Sequence, residues 1–299
     1  MGFFKRFVKA ITNPKTIITA AVMALINPVG SASFLISTAI YAAGTAALTA
    51  LTPLPEIPNF NDFLSETRNR TQMVRQPAVP RRAVYGEVRV SGVLAHIEST
   101  EDNKFLHLVI MVANHEIDSF QKFFINDEEL TMNGVNVTAP AKYVGKVVIE
   151  TAVGTDDQAA LANLVSRTKF TNNHRLQGIA YIYARLEFDR DAFPQGIPNI
   201  SALIRGKKVF DPRDSSTAFS TNPALCIRDY LTDTRYGLSC ASSEINDTAF
   251  TTAANICDET KSLAAGGTET QFTFNGTVES SASPKNLISQ MLTSCGGIL

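Results

Sequence analysis

The chain has 299 residues, of which 44% are hydrophobic and 18% charged, with a net charge of −1. That length is enough for about two domains with sizeable cores, and the balanced charge excludes a protein held on nucleic acid by its overall field. Cys226, Cys240, Cys257 and Cys295, with no CxxC pair, exclude a disulfide framework and a zinc ribbon and suit synthesis in a reduced compartment.

Charge is unevenly distributed. Residues 1–55 carry Lys5, Arg6, Lys9 and Lys15 but no acid, and residues 16–55 carry no charge at all. Asn27-Pro28-Val29-Gly30 is a turn signal that divides this apolar segment. Thr16–Ile26 is shorter than the roughly 20 residues that span a bilayer, whereas Ser31–Leu51 is long enough. Ala39, Ala43 and Ala47 recur every four residues, a spacing that lets helix backbones approach closely. A cleaved signal peptide, a membrane anchor and a helical hairpin buried in an assembly all fit this region. The Pro interruptions count against the first, and the mild, Ala-rich composition favours the third. Residues 56–83 read as a linker, with Pro58, Pro77 and Pro80 breaking helices and Arg68, Arg70, Arg75, Arg81 and Arg82 clustered. A solvated extended arm is the simpler reading, and an arm wrapping a neighbouring subunit the other.

From Val84 the period becomes strand-like, with one strand over 84–92 and others over 105–112, 119–125 and 146–152. Asn114-His115-Glu116 and Asn126-Asp127 are turns. A short helix is expected over 156–165, capped by Thr155. Strands return at 178–188 and 200–210. A helix over 223–231 follows, with Asn222 as N-cap and Pro223 at its first position. Further helices are expected over 248–259, capped by Asp247, and over 284–293, with a strand over 271–278 between them. The class is β-rich α+β. Short strands with turns at regular spacing argue for a barrel or a sandwich over 84–215, followed by an α+β portion over 216–299.

The search for reactive groups is brief. His96, His107, His115 and His174 show no metal or catalytic spacing, and no nucleophile elbow, P-loop or HExxH occurs. Glu187, Asp189 and Asp191 alternate at a strand end, where they suit a calcium ion or, more simply, a solvated rim neutralised by Arg185 and Arg190. Cys226 and Cys257 fall on apolar helix faces. An enzyme is not expected, and no cofactor or metal is implied.

The second half carries a long motif. Gly196-Ile197-Pro198-Asn199 leads to Arg205-Gly206-Lys207 and Asp211-Pro212. Asn222-Pro223-Ala224, Asp229 and Arg235-Tyr236-Gly237 follow, with Cys257-Asp258 and Cys295-Gly296-Gly297 further on. This pattern resembles the tail-tip hub (tip attachment, host specificity) proteins of long-tailed bacteriophages, most clearly from about 177 to 297. The resemblance implies a tail-tube-like hub barrel with an α+β insertion or second hub domain. It implies a virion location at the tail tip, after synthesis in the host cytoplasm, and a role in host attachment and DNA ejection. It also implies a homotrimer that contacts the distal tail protein, the tape measure protein and tail-tip accessory proteins, with no sequence-specific nucleic acid. In that family the chain continues far beyond this point. Receptor contact is therefore expected from a C-terminal part beyond Leu299. The motif residues themselves read as architectural, with Gly237 expected in a left-handed conformation. The competing reading is a membrane-active protein whose apolar hairpin inserts into the host envelope at ejection.

Overall fold

The computed structural model describes residues 70–75 and 79–298. The apolar segment with Ala39, Ala43 and Ala47 lies outside the described residues, as does the linker up to residue 69.

Strand β1 (Arg82–Tyr85) stays out of the main sheet. The next nine strands form it: β2 (Glu87–Val90), β3 (Val93–Thr100), β4 (Phe105–Ala113), β5 (Ser119–Ile125), β6 (Glu128–Asn133), β7 (Asn136–Ala139), β8 (Val147–Ala152), β9 (Ala180–Glu187) and β10 (Ile200–Arg205). Their spatial order is β2-β10-β5-β6-β7-β8-β9-β4-β3. The two end strands are neighbours in sequence, joined through Ser91-Gly92, so the sheet curls back towards its own start as a half-barrel. Its inner face is one apolar core, in which Val88 and Val90 of β2 meet Leu108 and Ile110 of β4, Ile182 of β9 and Ile204 of β10. Each large side chain buried here stabilises the fold by about 1.5–3 kcal/mol.

The gap between the two ends is bridged by residues 70–75. Val74 pairs with Val93 in parallel, the Ser91 N–H donates to the Arg70 carbonyl at 2.7 Å, and the Leu94 N–H donates to the Val74 carbonyl at 2.9 Å. This part of the Pro/Arg-rich linker is therefore docked on its own sheet and is not a solvated arm.

Strands β4 and β9 are buried on both faces, which removes the in-out alternation expected of a surface sheet. Their outer face, with Val109, Tyr181 and Tyr183, packs under Leu164 of the short helix α1 (Ala162–Arg167) and under Leu161, Phe170 and Leu176. The helix expected over 156–165 is thus shorter and later. Gln158 explains the shift. Its side chain accepts from the Gly154 N–H at 2.9 Å and donates to the carbonyls of Arg175, Leu176 and Ile179, holding residues 154–179 as a clasped loop.

The remaining elements build a second layer. They are the hairpin β11 (Lys208–Asp211) and β12 (Ser216–Phe219), helices α2 (Pro223–Thr232) and α3 (Asp247–Cys257), the small hairpin β13 (Thr260–Ser262) and β14 (Thr268–Thr270), strand β15 (Gly276–Glu279) and helix α4 (Pro284–Thr293). Their core contains Val209, Leu225, Cys226, Tyr230, Cys257, Val278, Leu287 and Met291, together with Ala83 and Tyr85 of β1. Strand β1 pairs antiparallel with β15, Arg82 opposite Glu279 and Tyr85 opposite Gly276. The single strand expected over 84–92 is therefore two strands in two sheets, broken at Gly86 with φ +69°. The run expected over 200–210 likewise breaks at Gly206. The β-rich α+β class holds. Among the described residues, no helix is long and apolar enough to cross a membrane.

Candidate functional site

Part of the motif, Gly206, Lys207, Asp229 and Arg235-Tyr236-Gly237, converges on the place where the second layer meets the half-barrel. Lys207 lies two residues beyond the end of β10, and its ammonium donates to Asp229 Oδ2 at 2.7 Å and to Asp233 Oδ2. The Tyr85 hydroxyl donates to the same Asp229 oxygen at 2.6 Å. All three charged side chains are at most 20% exposed. Burial opposes the Lys207 charge, but the two carboxylates outweigh it and raise its pKa. Burial likewise opposes the Asp233 charge, and Lys207 with the Tyr236 N–H outweighs it and lowers that pKa. Burial, then Asp229, pushes the Tyr85 phenol well above its ordinary range. The cluster is a hydrogen-bonded ion triad with a tyrosine added, joining β1, the end of β10 and the C-terminal half of α2.

Asp233 does a second job. Its Oδ1 accepts from the N–H groups of Arg235 and Tyr236 at 2.7 and 2.6 Å, which bends the chain after α2. Tyr236 is thereby turned inward, and its hydroxyl donates to the Asn114 carbonyl in the β4–β5 turn. Asn114 in turn accepts from the Arg82 N–H through its side chain at 2.9 Å and donates its own N–H to the Arg82 carbonyl. Next to it His115 accepts the Val84 N–H on Nε2 at 2.8 Å and contacts the Glu116 carbonyl with Nδ1 at 2.6 Å. The turn that sequence reasoning treated as a connector is thus the dock for β1. Gly237 corrects the expectation made for it. It is not among the residues with positive φ. Its constraint is space, because a Cβ there would overlap the Tyr230 carbonyl oxygen and lie 2.8 Å from that of Asp233.

Helix α2 starts as its sequence implies. Asn222 Oδ1 caps the Ala224 N–H at 3.0 Å with Pro223 at the first turn, and the Asn222 amide donates to the Ala254 carbonyl of α3 at 2.9 Å. Asn222 is 2% exposed, so Asn222→Ala removes the acceptor of the buried Ala224 N–H and one of two donors to the Ala254 carbonyl, which keeps the Asp258 N–H at 3.0 Å. A loss of about 2–3 kcal/mol is expected by denaturant titration. A loss no larger than that of an exposed cap, about 0.5 kcal/mol, would show the inter-helix bond to be immaterial. Helix α3 is capped by Asn246, not by Asp247. Asp247 instead holds the buried Arg228 through two bonds, at 2.7 and 3.1 Å, with the guanidinium over the Phe210 ring.

The other motif residues lie apart from the triad. Asp211 is paired with Arg213, which reaches Asp258 at 2.7 Å and so ties the β11–β12 turn, including Pro212, to the end of α3. Arg205 is exposed and pairs with Glu87. Gly196 and Pro198 sit at the other end of β10, where Asn199 accepts from the Met73 N–H at 2.6 Å and donates to the Thr71 carbonyl at 2.7 Å, anchoring the docked arm. Pro198 also lines an open cleft of about 1010 Å³ with Met73, Lys142 and Asp191. Of the three carboxylates at the end of β9, Asp189 is bound to Lys146 and to the N–H groups of Asp191 and Ala192, and Glu187 faces Lys104. Cys226 and Cys257 are buried in the second core. His107 is a buried structural group between Thr100 and Tyr183. The sequence marks Tyr85-Gly86 as a further position of the resemblance, but gives Asn114 and His115 only as a turn and places none of the three in a site. The only signal for them was the presence of a Tyr-Gly and an Asn-His pair at strand ends.

No family model matches the chain, and no curated protein does. Among solved structures the chain is similar to a chain in the virion of a native gene transfer agent particle. That likeness has a TM-score of 0.42 and 11% identity, and it covers 75% of this chain and 50% of the other, so the chain spans about half the length of that protein.

Proposed function

We propose that the chain is a structural component of a bacteriophage tail tip, the hub that closes the tail tube and takes part in host attachment and DNA ejection. The observation that supports this reading is the use made of the motif that resembles the hub proteins. Lys207, Asp229, Tyr236, Gly237 and Gly206 form the joint between half-barrel and second layer, and the side-chain polar atoms of Lys207 and Tyr236 are spent on Asp229, Asp233 and the Asn114 carbonyl. Such groups hold a shape and do not turn over a substrate, so we infer a non-enzymatic role. The partners that follow are two further copies of the chain, the distal tail protein and the tape measure protein.

The test is genetic and compositional. Removing the gene should abolish complete tails or leave them non-infectious, and mass analysis of purified tails under reducing, metal-free conditions should find three copies of the chain per tail. Normal infectious tails without the gene, or the absence of the chain from purified tails, would overturn the proposal.

A further inference from the structure

His115 sits where a change in its protonation acts on the joint directly. Its Nε2 is the acceptor for the Val84 N–H, and its Nδ1 lies 2.6 Å from the Glu116 carbonyl. Only the neutral ring with its proton on Nδ1 satisfies both contacts, because the cation has two donors and no acceptor. Added protons would turn Nε2–H against Val84 N–H inside a buried seam. The charged groups that act on the ring are Lys207, beyond β10, and Asp233 and Arg235, after α2, while Glu116 on its own turn touches it through the backbone carbonyl. The Tyr236 ring meets the imidazole edge-on, with centroids 6.2 Å apart. Glu116 is drawn off by Lys208 at 2.9 Å, and Asp233 by Lys207, so neither carboxylate is free to hold an imidazolium.

We propose that His115 is a proton-operated latch on the joint: acid releases β1 and the Tyr236 segment from the Asn114–Glu116 turn while the half-barrel stays folded. The sign follows from linkage. Burial holds the His115 ring neutral in the closed joint down to about pH 4, against an ordinary value of 6.5. The open form therefore takes up one more proton throughout that interval. Closure is at full strength above pH 6.5, weakens about tenfold in equilibrium constant per pH unit below it, and has lost the whole contribution near pH 4.

The experiment is amide hydrogen exchange on the full chain from pH 7 to pH 4, expressed as protection factors so that intrinsic exchange chemistry cancels. Protection at residues 82–86 and 234–238 should fall on the order of 100-fold, while β4 and β9 stay protected. His115→Gln keeps an acceptor without a titrating ring and should hold its protection at pH 4. Uniform loss across β4 and β9, unchanged protection at residues 82–86, or an equal acid response in H115Q would each overturn the proposal. If H115Q does not fold, the ring titration of His115 in the unaltered chain decides. A neutral Nδ1–H ring persisting below pH 5 supports the latch, and titration near 6.5 removes it.

Discussion

Lys207→Met should destabilise the folded chain by about 3–5 kcal/mol at pH 7, because it leaves two partly buried carboxylates facing each other without their cation. Asp229 and Asp233 both bond to that one ammonium, and their side chains are only 14% and 10% exposed. The methionine fills the volume of the lysine stem, so the loss is electrostatic rather than a cavity. Adding Asp233→Asn to Lys207→Met should recover part of the loss, since one stranded charge is removed while an acceptor remains for Arg235 and Tyr236. Guanidinium titration of the single and double variants measures both terms. A loss below 1 kcal/mol, the range of an exposed pair, would mean that water screens the cluster.

Gly206→Ala should cost about 3 kcal/mol, at the upper end for forcing one methyl group into filled space. A Cβ at this position would lie 2.6 Å from the Val84 carbonyl carbon and 3.1 Å from the Tyr85 nitrogen, which are backbone atoms with nowhere to go. Both strands are pinned there. The Lys207 N–H donates to the Val84 carbonyl at 2.7 Å, the Gly206 N–H to Gly86 at 2.8 Å, and the Asp118 N–H to the Gly206 carbonyl at 2.9 Å. Gly196→Ala is the control. Its Cβ meets open space and only its φ of +83° resists, so the expected loss is about 1–2 kcal/mol. Thermal unfolding of the two variants should rank them in that order. Equal losses would show that the approach of β1 to Gly206 relaxes freely.

These elements divide by what their sequence can announce. Helix α2 was legible because its start is chemical: Asn222 has a cap's side chain and Pro223 a first-turn ring, and both act locally. Strands β4 and β5 were legible as apolar runs between turns. Strand β3 was not, because Val93–Thr100 lies at the sheet's end and its half-exposed side chains never form an apolar run. The splits at Gly86 and Gly206 were hidden for a different reason. Each depends on the other strand crossing it, and such a crossing leaves no local mark beyond a glycine. The joint was legible as a motif but not as a geometry, since Asp229 and Tyr236 are recognisable in the chain while their respective partners, Tyr85 and Asn114, come from more than a hundred residues earlier.

The pairing of β1 with β15 also bears on synthesis. Arg82 meets Glu279 across 197 residues of chain. A ribosome adding roughly 5–20 residues per second needs about 10–40 s to make that distance. For that interval β1 has left the exit tunnel with Ala83 and Tyr85 uncovered and one hydrogen-bonding edge unpaired, while the half-barrel beside it can already close. An unpaired edge next to apolar side chains invites capture by another nascent chain. On a polysome, where identical chains emerge side by side, the last strand of one molecule and the first of its neighbour are chemically indistinguishable from the correct couple. The yield of properly closed molecules is then set by how soon residues 276–279 follow, and slow codons placed before Gly276 should lower it.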